Sequence, residues 1–197
     1  MSHEKKQIKI GLTGGIGSGK TFVSTILTKL KIPVFNADFE AKKCMGENES
    51  IKEKIQDLFG DKVYKEGVLQ SNILADIVFN NSQKLEDLTK LVHPLVRLSF
   101  DNWCADQNSR IVIKEAAILF ESNSHLHLDK VICVSASEKN RIDRVVKRDN
   151  TSREEVLARM DMQIPQYEKE KLSDFVIINN EVELLLPQII KITNQIS

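Results

Sequence analysis

Gly14-Gly15-Ile16-Gly17-Ser18-Gly19-Lys20-Thr21 is the run on which the reading of this chain turns. It follows residues 7–13 (QIKIGLT), which have the apolar content of a buried strand. It leads into residues 21–30 (TFVSTILTKL), where apolar side chains at 22, 23, 26, 27 and 30 have helical spacing. The eight residues satisfy G-x-x-x-x-G-K-[ST] in full, between strand and helix, as a phosphate loop requires. Glycines there let successive backbone N–H groups converge on phosphate oxygens with no Cβ in the way. The helix beginning near Lys20 adds its positive end. Lys20 can bridge the β- and γ-phosphates, and the Thr21 hydroxyl can ligate Mg2+. The rival dinucleotide pattern G-x-G-x-x-G fails, because Gly15-x-Gly17 would need glycine where Lys20 stands. The ligand is read as a nucleoside triphosphate, not NAD.

Glycine usage sharpens this. The chain has eight, and five of them (Gly11, Gly14, Gly15, Gly17, Gly19) fall within nine positions. Such concentration implies unusual backbone angles or close approach by another group.

Outward from the loop, residues 32–35 (IPVF) form a second short strand, so the N-terminal part is a βαβ unit with a right-handed crossover. Residues 38–107 are mostly helical: Ile51, Ile55, Leu58 and Phe59 make one face, and Leu85, Leu88, Leu91 and Val92 another. Gly60-Asp61 and Lys65-Glu66-Gly67 are read as turns. Short β-branched strands return at 110–114 and 130–135. A basic helix follows at 138–148, then a helix at 152–162 and a strand at 174–178. A last helix is read at 181–196, with Pro187 weakening or bending its middle. About five parallel strands with interleaved helices predict a three-layer α/β core.

Composition excludes several classes. The 197 residues favour one domain or one domain with an insertion, and 41% hydrophobic with 28% charged residues is an ordinary globular balance. The 28 basic and 28 acidic residues cancel, which argues against a global attraction to nucleic acid or anionic lipid. No apolar run approaches the roughly eighteen residues that span a bilayer, and Met1 to Gln7 do not read as a signal peptide. Cys44, Cys104 and Cys133 are odd in number and far apart, which suits isolated buried thiols rather than disulfides or zinc. His125 and His127 are read as loop histidines. The expectation is a soluble cytoplasmic protein, monomeric or weakly homo-oligomeric.

A phosphate loop serves kinases, switches and motors alike, so the reaction is argued from the rest of the chain. No N-K-x-D guanine reader exists. Asp57-Leu58-Phe59-Gly60 matches D-x-x-G, but it reads better as a helix ending at a C-cap glycine. Asp38, just past the second strand, is placed where a carboxylate can accept a proton from an attacking hydroxyl; an ordinary helix N-cap explains it equally well. Arg141, Arg144 and Arg148 share a helix face by their spacing. Such a row can neutralise transition-state charge, or it can be a solvated basic face. Together these point to a small-molecule phosphotransferase.

With these pieces placed, the chain resembles the dephospho-coenzyme A kinase family over nearly its whole length. Leu12 to Thr21 match that family's L-T-G-G-I-G-S-G-K-[ST] without a break. Lys31 to Asp38 resemble G-I-P-V-[IV]-D-A-D; Asn36 stands for the first Asp, and Asp38 keeps the position of the family's base. Gly67, Val68, Leu74, Val78 and Phe79 fit a G-x-[LV]-x-R-x-x-L-x-x-x-V-F segment, with Ser71 in place of its arginine. His93 to Arg97 is similar to H-P-x-[IV]-R, and Glu115 to Glu121 to D-x-P-L-L-F-E, with Glu115 and Ala117 for Asp and Pro. Arg144 to Asp149 resembles R-[LV]-x-x-R-D, and Arg159 to Gln163 resembles R-[IM]-x-x-Q.

The resemblance implies ATP-dependent phosphorylation of the ribose 3′-hydroxyl of dephospho-coenzyme A. It also implies a P-loop kinase fold with a nucleotide core (about 7–37, 108–137 and 173–197), a helical substrate-binding insertion (about 38–107) and an arginine-bearing lid (about 138–172). ATP would be held by Gly14, Gly15, Ile16, Gly17, Ser18, Gly19, Lys20, Thr21 and Phe22, and Mg2+ by Thr21 with Glu115. Asp38, Lys20, Arg144 and Arg148 would act in catalysis, with His93, Arg97 and Glu121 on the substrate side. The alternatives are a nucleoside or nucleotide kinase of the same architecture, or an ATP-binding regulatory module without an acceptor.

Overall fold

The computed structural model describes residues 7–79 and 81–196, so the N-terminal segment read above as lacking a signal lies outside the described residues except for Gln7. Two compact units are present: the chain up to Asn36 together with the chain from Cys104 on, and Ala37–Trp103.

The first unit is built on β1 (Ile8–Thr13), β2 (Val34–Asn36), β5 (Ile111–Glu115), β6 (Lys130–Ser135) and β7 (Phe175–Ile178). They form one parallel sheet in the order β2-β5-β1-β6-β7, with β1 at the centre. Alternation along each strand decides what each face carries. Ile10 and Leu12, Ile111 and Ile113, Ile132 and Val134, and Ile177 meet Val23 and Leu27 of α1 (Lys20–Lys29) and Ile189 and Ile192 of α9 (Leu185–Ile196) in one buried cluster. On the opposite face Cys133 faces α8 (Gln166–Leu172), and a side chain at Gly11 would collide with Leu119 and Leu128. Helices therefore cover both faces, as a parallel sheet requires. This is the three-layer α/β architecture, and the sheet delivers the C-terminal ends of β1 and β5 side by side, with Leu12 in register with Glu115.

Two readings are corrected. The last helix starts at Leu185, not 181, because the Asn180 side chain accepts from the N–H groups of Val182 and Glu183 and holds a turn there. Pro187 thus lies in the first turn, where a missing N–H costs nothing, and does not bend the helix. Beyond it, Gln188 accepts from Ile178 N–H (2.8 Å) and donates to Ile178 C=O (3.0 Å), standing in for a neighbouring strand at the sheet edge. The second correction concerns α8, which follows Pro165 and which the apolar spacing does not predict; proline just before a helical run is the available signal.

The second unit comprises α2 (Ala37–Glu47), α3 (Glu49–Phe59), a hairpin of β3 (Tyr64–Lys65) and β4 (Val68–Leu69), α4 (Ser71–Phe79) and most of α5 (Ser82–Ala105). Ile51, Ile55 and Phe59 pack with Val63, Tyr64, Leu74 and Val78, whereas Leu58 faces outward. Gly60 ends α3 with φ +89°, its N–H returning to Gln56 C=O, so Asp57 to Gly60 is a helix terminus. The turn read at Lys65–Gly67 closes the hairpin with Glu66 and Gly67 both left-handed. Among the described residues no helix is long and apolar enough to cross a membrane.

Asp174 ties β7 to β6: its carboxylate accepts from Val131 N–H (2.8 Å) and Lys130 Nζ (2.8 Å). Burial disfavours its charged form, but these donors outweigh it and hold the carboxyl below its ordinary value. A depressed carboxyl contributes stability above its unfolded value and loses it as pH falls through the folded one. Asp174→Ala is therefore expected to lower unfolding free energy by about 1 kcal/mol at neutral pH. The deficit against wild type should shrink in urea titrations taken below about pH 4.

Candidate active site

The turn from β1 into α1 has to run neither as strand nor as helix, and its glycines take the angles this demands. Gly17 and Gly19 have φ +78° and +94°. A side chain at Gly17 would collide with Arg141 C=O, and one at Gly19 with Asn179 Nδ2, so the loop is pressed against its surroundings. Ser18 N–H closes the turn on Gly15 C=O (3.1 Å), and Lys20 Nζ lies across the loop on Gly14 C=O (2.8 Å). Phe22, one residue past Thr21, is exposed at the start of α1.

Below the helix start sits Glu115, the last residue of β5 and itself buried. Its carboxylate accepts from Thr21 Oγ1 (3.2 Å) on one oxygen and from Ser24 Oγ (2.8 Å) on the other. Because Thr21 spends its proton on Glu115, its lone pairs are left to face a cation. A hydroxyl and a carboxylate are hard oxygen donors of the kind that hold Mg2+ alongside phosphate and water. The site fits that ion.

The three arginines of α6 (Glu138–Asp149) divide rather than form one row. Arg141 is buried, donating from Nε to Ile16 C=O (2.9 Å), and its guanidinium fills the space a Cβ on Gly15 would need. Burial pulls Arg141 below its ordinary value, though a guanidinium keeps its charge. Arg144 reaches Gly17 C=O (3.4 Å), Asn179 C=O (2.9 Å) and Glu181 (3.0 Å). Arg148 instead folds onto its neighbour Asp149 (2.6 Å), which also takes Arg159 (3.1 Å). Helical spacing puts the three on adjacent turns; the partners each meets differ.

Several contributing residues were not singled out from sequence. Asn179 donates to Ser18 C=O (2.8 Å), Ser24 orients Glu115, and Gln163 and Gln166 accept from loop amides. Gln163 stood inside a quoted motif; nothing local marked the other three. Glu121, expected on the substrate side, has one oxygen on Lys169 Nζ (2.7 Å) and Ile164 N–H (3.0 Å), and Lys169 is fully buried and also donates to Ala117 C=O (2.8 Å).

Asp38, His93 and Arg97 belong to the second unit. Asp38 is exposed in the first turn of α2, inside the helix rather than at a cap. His93 is half-buried on α5, and Arg97, one turn on, pairs loosely with Asp101 (3.9 Å). The helix runs through Pro94, so neither residue caps a break there.

The dephospho-CoA kinase family model matches residues 8–184. A dephospho-CoA kinase from Bacteroides fragilis is 37% identical over 186 residues, covering 94% of this chain and 91% of that protein. Among solved structures, one from Thermus thermophilus superposes with a TM-score of 0.83 at 32% identity, covering 98% and 97% of the two chains. The dephospho-CoA kinase of Campylobacter jejuni does so with a TM-score of 0.65 at 30% identity, covering 96% of each.

The pair of half-buried Glu121 with fully buried Lys169 carries an expectation of its own. Losing one member of a buried pair strands the other charge, at about 3–5 kcal/mol. Glu121→Leu should cost that much in urea unfolding, and adding Lys169→Met should restore more than half. A double variant no better than the single would show that the stranded ammonium is not the source of the loss.

Proposed function

The chain belongs to the dephospho-CoA kinase family, and on that premise we propose that it transfers the γ-phosphoryl group of ATP to the ribose 3′-hydroxyl of dephospho-coenzyme A, giving coenzyme A and ADP. The observation that carries the reading is the complete phosphate loop with Lys20, Thr21 and Glu115 grouped around its helix start, in a chain the family model matches over residues 8–184. The enzyme acts on soluble small molecules, which suits a cytoplasmic place.

Catalysis in this reading is positioning and charge stabilisation. Amides of the loop and of the α1 N-terminus bind the phosphates. Lys20 leaves the Gly14 carbonyl and follows charge onto the transferring group. Thr21, with Glu115 behind it, would hold Mg2+, and the ion would supply charge neutralisation for the phosphate groups. Asp38 takes the proton of the 3′-hydroxyl as the new O–P bond forms and the bond to the β-phosphate breaks in line, releasing ADP. Arg144, already against the loop, and Arg148 counter charge on the leaving phosphates, and Phe22 lies beside the nucleotide. His93, Arg97 and Glu121 serve the acceptor side, Glu121 by fixing the segment that follows α7 (Arg153–Asp161). Residues 138–172 act as the lid over both substrates.

The direct test offers purified protein ATP, Mg2+ and dephospho-coenzyme A and follows ADP release against an acceptor-free control. Acceptor-dependent ADP and coenzyme A are expected; ADP release that ignores the acceptor would overturn the reading. Lys20→Ala should lower turnover on the order of a hundredfold or more while weakening ATP binding less. Asp38→Asn loses a carboxylate from a helix N-terminus, a stability change of roughly 0.3–1 kcal/mol. Its phosphoryl transfer should fall by roughly two orders of magnitude or more with ATP affinity kept. Normal transfer by Asp38→Asn would remove it from the base role.

A further inference from the structure

Gln163 and Gln166 have no part in the reaction as described, yet both end on the phosphate loop. Gly15 N–H donates to Gln166 Oε1 at 2.8 Å, and Ile16 N–H donates to Gln163 Oε1 at 3.0 Å. Both glutamines are themselves held. Gln166 Nε2 donates to Val134 C=O (3.2 Å) and Glu170 Oε1 (2.9 Å), so its donor end is engaged away from the loop and its acceptor end faces Gly15. Behind them the Glu121 carboxylate fixes Ile164 N–H and the buried Lys169, which anchors the segment carrying both glutamines.

What these contacts restrain follows from peptide geometry. In the Gly14–Gly15 peptide, the carbonyl accepts from Lys20 and the N–H goes to Gln166. In the next peptide, the Gly15 carbonyl accepts from Ser18 N–H and the Ile16 N–H goes to Gln163. Two consecutive peptide planes are thus held at both edges, in a stretch whose glycine content would otherwise let them turn over. A flipped plane would break both of its edge contacts and carry the rest of the loop, with the amides that follow, out of the arrangement set against phosphate.

We propose that Gln163 and Gln166 are positioning residues that lock the first two peptide planes of the phosphate loop in the orientation that accepts ATP, before ATP arrives. The inference rests on the ATP-dependent reaction proposed above. Gln166 has the larger share: once Lys20 moves to the phosphates, it is the remaining one of the two edge contacts described for the Gly14–Gly15 plane.

The test uses Gln163→Met and Gln166→Met, which keep side-chain length and remove the acceptor. ATP binding is measured by calorimetry, amide hydrogen exchange at Gly15 and Ile16 by NMR on the nucleotide-free protein, and KM for ATP and kcat by ADP release. ATP affinity should fall roughly tenfold for Gln166→Met, the size of one hydrogen bond left unmade, and less for Gln163→Met. Exchange should accelerate at Gly15 and Ile16 respectively, and kcat should fall less than KM rises. A merely structural role would lower the thermal midpoint and leave ATP affinity per folded molecule unchanged, and that result overturns the proposal. Tighter ATP binding also overturns it, since the glutamines would then be plugs that ATP must displace. Should Gln166→Met fail to fold, Gln163→Met decides the matter at Ile16. Wild-type protein that binds ATP but ignores dephospho-coenzyme A would overturn the acceptor assignment alone, because binding and exchange are read without acceptor.

Discussion

An anion-binding loop made of backbone has to present its amides and keep its carbonyls occupied elsewhere. That constraint organises the first unit. From Gly14 to Gly19 each carbonyl has a donor: Lys20 for Gly14, Ser18 N–H for Gly15, Arg141 for Ile16, Arg144 for Gly17, Asn179 for Ser18, and Phe22 and Val23 N–H for Gly19. Three of these donors are cationic side chains. Their charges add to the positive end of α1, so the groups that hold the loop also raise the potential at the point where phosphate binds.

The same requirement explains the buried polar groups nearby. Desolvating Arg141 is costly, and a neutral residue would pack there more cheaply. Its Nε bond to Ile16 C=O and its position against Gly15 give that cost a purpose, because the charge stands within the loop's wall where solvent screening is weakest. Cys133, beside Gln166, has its thiol pushed up to about 11 by burial and stays neutral at physiological pH. The Cys133 thiol thus adds no negative charge to that of the Glu138 and Glu170 carboxylates that already act on Arg141.

How much of this was legible in the sequence depended on how local the cause was. The loop, the flanking strand and the α1 helix follow from residues within a few positions of one another, and the parallel sheet follows from its short β-branched runs. The start of α9 was missed because the Asn180 turn is a side-chain device that hydrophobic spacing does not register. The arginines were read as one row because spacing gives direction around a helix, not the partner reached. Arg141 and Arg144 meet loop carbonyls more than a hundred residues earlier in the chain, while Arg148 meets the next residue. Gln166 was invisible for the same reason: a glutamine after a proline is unremarkable until Gly15 is found 2.8 Å away.

The most recognisable segment of the chain is therefore the least self-sufficient. Glycines give the loop access to the required angles but also to many others, and nothing within 14–21 selects among them except the Gly15–Ser18 turn and the Lys20 contact. Selection comes from Glu115 on β5, from Arg141 and Arg144 on α6, from Gln163 and Gln166 around the start of α8, and from Asn179 after β7. These pieces arrive together only once β5, β6 and β7 have paired with or beside β1, contacts that span long stretches of sequence. The loop's binding geometry is consequently a property of the completed sheet. A fragment carrying the intact motif alone would have the residues of a phosphate site without the arrangement that makes it one.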